Sequence, residues 1–194
     1  MRIGVLGLQG AVREHMRSLS RLGVDVLVVK HVEELDQISA LILPGGESTA
    51  ISLIGGVAFL DRLRTLADGG FPLFGTCAGM ILLARKIEGR DEPYVGAIDI
   101  TVARNASGRQ VHSFETMLAV EGIGKDIPAV FIRAPYITRL GHGVTALAKR
   151  DRHAVMARQG NVLVASFHPE LTDDLRIHEY FLNIVGKRNQ EEMK

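Results

Sequence analysis

Phe74-Gly75-Thr76-Cys77-Ala78-Gly79-Met80 stands directly after a short apolar run and directly before an apolar helical one, and it holds the only cysteine of the chain. The spacing is G-x-nucleophile-x-G, the pattern of a sharp strand-to-helix turn that pushes a reactive side chain out of the backbone. Gly75 and Gly79 fit such a turn because a side chain at either would collide with the neighbouring strand or helix. The helix opening near Ala78 points its free N–H groups at the sulfur. A lone cysteine is more often a buried structural residue. Here the paired glycines favour a nucleophile, and they make a strand-turn-helix unit the centre of the fold.

Working outward, residues 2–8 (RIGVLGL) form a near-continuous apolar run, as a strand covered on both faces should. Val12, Met16, Leu19 and Leu22 recur at helical spacing, with Gly23 as a helix C-cap. Strands follow at 24–29 and 40–43, with a helical turn at 32–35 between them. Pro44-Gly45-Gly46-Glu47-Ser48 breaks the chain before a helix reaching about residue 68, and 80–87 reads as helix after the cysteine turn. Strands alternating with helices predict a parallel sheet. The middle differs: 97–104, 116–121, 130–134, 144–149, 154–159 and 162–167 read as short β runs, the last apolar enough to rejoin the central sheet. A helix carrying Ile177, Phe181, Ile184 and Val185 on one face closes the chain, capped by Thr172-Asp173-Asp174. The fold class read from this is α/β: one domain over 1–194, a three-layer open, mostly parallel sheet with helices on both faces and an antiparallel β extension.

Composition narrows the function. With 23 basic and 22 acidic residues the net charge is +1, too little to hold nucleic acid or an anionic membrane surface. No apolar run approaches the roughly 20 residues that span a bilayer, and the N-terminus reads as a strand rather than a signal peptide. One cysteine excludes an internal disulfide and fits a reducing, cytoplasmic location. No C-x-x-C, H-E-x-x-H or calcium-loop pattern occurs, so neither a metal nor a cofactor is expected.

A cysteine nucleophile needs a base. His168, in Ser166-Phe167-His168-Pro169-Glu170, follows the strongest late strand. Working groups gather beyond the carboxyl ends of strands in an open parallel sheet, so His168 and Cys77 are expected to meet there. Glu170 is placed to orient the imidazole as the third member of a triad. Other histidines have weaker claims: His15 reads onto the polar side of the first helix, His31 and His153 into turns, His178 onto the last helix, and His112 and His142 into solvated positions near glycines. Gly45-Gly46, at another strand end, can turn backbone N–H groups toward an oxyanion or a carboxylate; as a glycine-rich turn it is also compatible with a turn alone. It is not a phosphate loop, because no Lys follows. Arg104 and Arg133 end middle strands and could grip a carboxylate or simply lie on the surface.

Taken together, the chain resembles the class I (triad) glutamine amidotransferases, and among them the glutaminase subunits of pyridoxal 5′-phosphate synthase. The similarity is carried by GVLGLQGAVREH (4–15), LPGGEST (43–49), GTCAGMILLA (75–84), RN, GRQ and SFE (104–115), FIRAP (131–135), RQGN (158–161) and SFHPELTDDLRIH (166–178). GTCAG with HPE indicates only the superfamily; the remaining motifs are more specific.

The resemblance implies Cys77 as nucleophile, His168 as base and Glu170 as orienting acid. It implies the Gly46 and Ala78 N–H groups as oxyanion donors, and Gly46, Glu47, Ser48, Arg104, Ile132 and Arg133 as glutamine-binding positions. Gln9 and Gly10 match a pair tied to the partner interface and to active-site organisation. Ser107 replaces a usual aromatic and His112 a frequent acid. The implied reaction hydrolyses L-glutamine to glutamate and ammonia, with a synthase subunit as protein partner in a large hetero-oligomer. A glutaminase subunit of another synthase, such as that of histidine biosynthesis, another elbow-cysteine protein of this architecture, and a non-catalytic binding module of the same fold are the alternatives.

Overall fold

The computed structural model describes residues 1–104 and 113–192. Asn105, Ser107 and His112 lie outside the described residues. The first half runs β1 (Arg2–Leu6), α1 (Val12–Arg21), β2 (Asp25–Val29), β3 (Ala40–Leu43), α2 (Ser48–Asp68), β4 (Leu73–Thr76) and α3 (Ala78–Leu83). The second half runs β5 (Ala84–Ile87), β6 (Ile98–Ala103), β7 (Phe114–Val120), β8 (Gly124–Phe131), β9 (Tyr136–Leu140), β10 (Thr145–Arg150), β11 (His153–Gln159), β12 (Val162–Ala165) and α4 (Arg176–Glu192).

The main sheet has the order β2-β1-β3-β4-β12-β11-β9-β6-β5, with β10 beside β11, and β7 and β8 form a separate hairpin. From β2 to β12 all neighbours are parallel. The β12–β11, β11–β9 and β9–β6 pairings are antiparallel, and β5–β6 at the far edge is parallel again. This is the mixed α/β sheet with an antiparallel extension that the sequence predicts.

The period of two in each strand sorts the core. Leu41, Leu43, Leu73, Val162 and Val164 pack with Ile51, Phe59 and Leu63 of α2 and with α3 on one face. Ile3, Val5, Ile42, Phe74, Leu163 and Ala165 pack with Leu19 of α1 and with Ile177, Phe181, Ile184 and Val185 of α4 on the other. The central strands are buried at every position from β3 to β12 on both faces, which is why they read as unbroken apolar runs. Among the described residues no helix is long and apolar enough to cross a membrane.

Three expectations are corrected. The stretch 80–87 is not one helix: α3 ends at Leu83, and Ala84–Ile87 becomes β5, pairing in parallel with β6. Buried Ala84 and Ile87 flank exposed Arg85 and Lys86, a spacing that period alone does not separate from a last helical turn. The strand read at 130–134 ends at Phe131, because Arg133 turns through φ 45°. The sequence pattern gives no sign of strand β9 (Tyr136–Leu140), because its last three residues are exposed and it lacks an apolar run.

Candidate active site

Three parallel strands and the loop after β1 bring the site together at their carboxyl ends. Cys77 follows β4 with φ 49° and ψ −103°, a conformation that is strained for a residue with a side chain. Its N–H donates to the Ala165 carbonyl of β12 (2.8 Å), and its carbonyl accepts from Met80 N–H (3.1 Å), so the surroundings lock the turn from both sides. The glycines explain how the turn fits. A Cβ on Gly75 would lie 2.5 Å from the Gly79 backbone, and one on Gly79 would lie 2.0 Å from the Leu43 carbonyl oxygen. Helix α3 is therefore seated directly on β3 and β4, as the sequence pattern requires.

His168 follows β12 and is buried together with Glu170. The imidazole Nδ1 lies 2.7 Å from Glu170 Oε1. A Cβ on Gly45 would meet His168 Cε1 at 2.3 Å and Cys77 Cβ at 3.2 Å, so the glycine after Pro44 is wedged between base and cysteine. Burial pulls the His168 pKa down, but hydrogen bonds with Cys77 and Glu170 outweigh it and push the value up to about 10. Burial likewise works against the Glu170 carboxylate, yet the neighbouring His15 and His168 hold its pKa below the ordinary value.

The loop after β3 is fixed by the loop after β1. Ala11 N–H donates to the Gly45 carbonyl (3.1 Å), and Gln9 Oε1 accepts from Glu47 N–H (2.7 Å). Gly10 has φ 101°, and a Cβ there would sit 1.7 Å from the Gly45 oxygen, so only glycine permits this approach. Glu47 caps α2 through Thr49 and Ala50 N–H, and Arg104 Nη2 reaches its Oε1 at 3.1 Å. Burial is the largest single influence on Glu47 and raises its pKa, but the Ala50 and Thr49 hydrogen bonds and Arg104 together bring it below the ordinary value. The Ile132 carbonyl oxygen lies 3.9 Å from Cys77 Sγ.

These groups surround an open pocket of about 440 Å³. Gln9, Gly10, Gly46, Glu47, Ser48, Cys77, Ala78, Arg104, Ile132, Arg133 and His168 all line it, and Glu170 stands behind His168. Every site residue expected from the sequence thus falls in or behind one cavity. Ser48 Oγ, buried against it, has no hydrogen-bond partner. Among the described residues no group of three or more His, Cys, Asp or Glu side chains is placed to hold a metal ion.

His15 departs from expectation, and His178, on the last helix as expected, is buried with it. His15 is not on a polar side: it is fully buried, with Nε2 3.1 Å from Thr76 Oγ1 and 3.4 Å from Glu170 Oε2. His178 is also fully buried, its Nε2 3.0 Å from His15 Nδ1. A signal for His15 existed, because it lies three residues after Val12 and four before Leu19, on the stripe that faces the sheet.

Residues 5–187 match the SNO glutamine amidotransferase family. The chain belongs to that family. It is 52% identical to the pyridoxal 5′-phosphate synthase subunit PdxT of Bacillus cereus (strain B4264), over all of this chain and 99% of the relative. It is 54% identical to the protein of the same name from Geobacillus sp. (strain WCH70), over 95% of this chain and 97% of the relative. A crystal structure of a glutamine amidotransferase, 49% identical, superposes with a TM-score of 0.90 and covers 95% of this chain and 98% of its own. The fold of this family member is therefore that of the class I glutamine amidotransferases.

Proposed function

We propose that the chain hydrolyses the side-chain amide of L-glutamine through a thioester on Cys77 and delivers the ammonia to a pyridoxal 5′-phosphate synthase subunit. The convergence of Cys77 and His168 in one pocket, with Glu170 bonded behind His168, carries this reading, and membership of a glutamine amidotransferase family supports it.

Cys77 Sγ attacks the amide carbon, and the carbonyl oxygen becomes an oxyanion. The C–N bond breaks as His168 gives its proton to the departing nitrogen, leaving a thioester and ammonia. His168 then takes a proton from water as the water oxygen attacks the thioester, and glutamate leaves with Cys77 restored; such proton transfer contributes on the order of 10²–10⁴ in rate. Glu170 accepts the Nδ1 proton bond and keeps the imidazole in the tautomer the attack needs.

The oxyanion donors are the N–H groups of Gly46 and Ala78. Ala11 holds the Gly45 carbonyl on the β1 side, so the planar trans peptide turns the Gly46 N–H the opposite way. Each such donor is worth about 3 kcal/mol in the transition state. Arg104 and Arg133 suit the α-carboxylate of glutamine, Glu47 its ammonium, and the unpartnered Ser48 hydroxyl a further polar group of the substrate.

Ammonia free in neutral water is mostly ammonium, which is not nucleophilic, so an acceptor enzyme must cover the mouth. Leu53, Ile54 and Val57 are exposed on α2, whose first residue lines the pocket, and they offer an apolar surface for that partner. Gln9 and Gly10 tie the mouth to the β3 loop, so docking there would tune the oxyanion donors. The hetero-oligomer is the unit in which full activity is expected. Glutaminase assays with and without the synthase subunit test this: strong stimulation is expected, and full turnover by the chain alone, unchanged by the subunit, would refute it. Stimulation by a synthase of another pathway would reassign the acceptor. In the stimulated complex Cys77→Ala should abolish hydrolysis, and retention of more than about 1% of activity would remove Cys77 from its role.

A further inference from the structure

Behind the triad lies a buried chain of polar groups that the mechanism above does not use. Glu170 spends Oε1 on His168, while its Oε2 is buried with no hydrogen-bond partner. His15 Nε2 lies 3.4 Å from it. The same nitrogen is 3.1 Å from Thr76 Oγ1, which itself accepts from Gly45 N–H (3.1 Å). On the far side, His15 Nδ1 faces His178 Nε2 at 3.0 Å, and His178 Nδ1 is buried without a partner. Phe74 closes the remaining space, its ring edge-on to both imidazoles. Glu14 and His168 are the other charged groups felt by His15.

One arrangement of protons suits these contacts best. If His15 carried its proton on Nδ1, its Nε2 lone pair would face the Glu170 carboxylate. His178 Nε2 would then have to accept, which puts the His178 proton on Nδ1 as a buried N–H with no acceptor. With the proton on His15 Nε2, the N–H donates to Thr76 Oγ1 while Glu170 Oε2 lies 3.4 Å from the same nitrogen, and Nδ1 accepts from His178 Nε2–H. What remains unpaired is the His178 Nδ1 lone pair and the Thr76 hydroxyl hydrogen, whereas the other arrangement sets a lone pair against a buried carboxylate and also leaves the His178 Nδ1–H without an acceptor. The tautomers follow from the network, as they must where protons are not seen.

We propose that His15 is a positioning residue: held as its Nε2–H tautomer by His178, it sets the positive end of its N–H dipole 3.4 Å from the outer oxygen of Glu170, which has no hydrogen-bond partner, and so fixes that carboxylate against His168. Through Thr76, the same imidazole also braces the Gly45 N–H of the oxyanion loop. His15 touches neither substrate nor sulfur, and its effect passes through Glu170. The kinetic part of this inference rests on the glutaminase reading above; the proton assignment does not.

Long-range ¹H–¹⁵N correlation spectra of histidine-labelled parent protein read the tautomer directly. A protonated Nε2 and a bare Nδ1 on His15 are expected, and the reverse would overturn the proposal without any variant having to fold. The kinetic arm follows labelling of Cys77 by a diazo-ketone analogue of glutamine, which separates the maximal rate from the half-saturating concentration. His15→Phe should slow the maximal rate on the order of tenfold to a hundredfold, as loss of an outer partner of a working side chain does, with half-saturation unchanged. His15→Gln, whose amide N–H can occupy the Nε2 position, should restore most of it. In a Glu170→Gln background His15→Phe should cost almost nothing more, because the two act as one unit. Equal losses in both backgrounds, or no rescue by Gln, would show a merely structural role. Failure of the Cys77→Ala test with the expected His15 tautomer would count against the glutaminase reading alone.

Discussion

Behind His168 the groups Glu170, His15 and His178 have no contact with water, while at the mouth the Glu47 and Arg104 side chains keep 52% and 35% of their surface exposed. The same kinds of contact, a carboxylate with a cationic or N–H-bearing neighbour, thus occur in two dielectric settings within one pocket. At the rear, removing one partner leaves a buried charge or dipole uncompensated, which costs far more than the pair is worth. At the mouth, water replaces a lost partner, and an exposed ion pair contributes only about 0.2–1 kcal/mol. The rear is therefore suited to fixing protonation states, and the mouth to catching and releasing a charged substrate.

The most severe way to break the rear is Glu170→Gln. The His168 pKa stands at about 10 because Cys77 and Glu170 outweigh burial. With the carboxylate gone, burial keeps its full pull and the imidazolium is lost at much lower pH, which on the proposed mechanism removes the proton that the departing ammonia takes. A fall in turnover of about 10³–10⁴ is expected, the scale seen when the orienting acid of a triad becomes an amide. The alkaline limb of the pH–rate profile should move down with it. A variant whose alkaline limb stays where the parent's lies would sink the claim that Glu170 sets the His168 proton.

How much of this contrast can be read in the sequence depends on how local each cause is. The elbow is legible because its glycines must avoid a strand and a helix two residues away, and that constraint is written in GTCAG itself. His168 and Glu170 are legible because a polar pair directly after an apolar strand has few structural reasons to be there. The parallel strands are legible because burial on both faces leaves an unbroken apolar run. The rear network is harder: His15 sits on the buried stripe of α1 and His178 beside Ile177 on α4, but only the packing of both helices on Phe74 makes them neighbours. The edge strand β5 escaped because Ala84-Arg85-Lys86-Ile87 suits a helical turn and a strand equally, and its pairing with β6 decides the matter. The Arg104–Glu47 contact joins residues 57 positions apart and leaves no trace in either local pattern.

A gentler way to expose the rear is acid. Burial and the neighbouring His15 depress the His178 pKa to about 3, and burial lowers that of His15 as well. The folded values lie below the ordinary 6.5, so between 6.5 and the folded value the unfolded chain binds protons that the folded chain refuses. Stability must then fall as pH drops below 6.5, by about 1.4 kcal/mol per pH unit for each such histidine. Between pH 6.5 and 5.0 the ordinary carboxyl groups contribute little, which leaves the window to the histidines. Urea midpoints followed through that window should fall steeply for the parent and less steeply for His178→Leu, whatever the variant's absolute stability. Parallel slopes would mean that His178 is not held neutral.

The mouth should yield least. Arg104→Ala removes an exposed partner of Glu47 and a candidate grip on the substrate carboxylate, but Thr49 and Ala50 N–H groups still cap the Glu47 side chain. Folding stability should change by no more than about 0.5 kcal/mol, as for surface substitutions generally. Glutamine binding should weaken on the order of tenfold, at the low end of what a charge-assisted contact supplies, with turnover at saturation nearly unchanged. That separation is the informative result. A group that only holds the substrate moves KM, and one that sets the proton on His168 moves kcat. If Arg104→Ala lowered kcat as much as it raised KM, the exposed contact would be shaping the chemistry, and the division between a wet mouth and a dry rear would not describe how this pocket works.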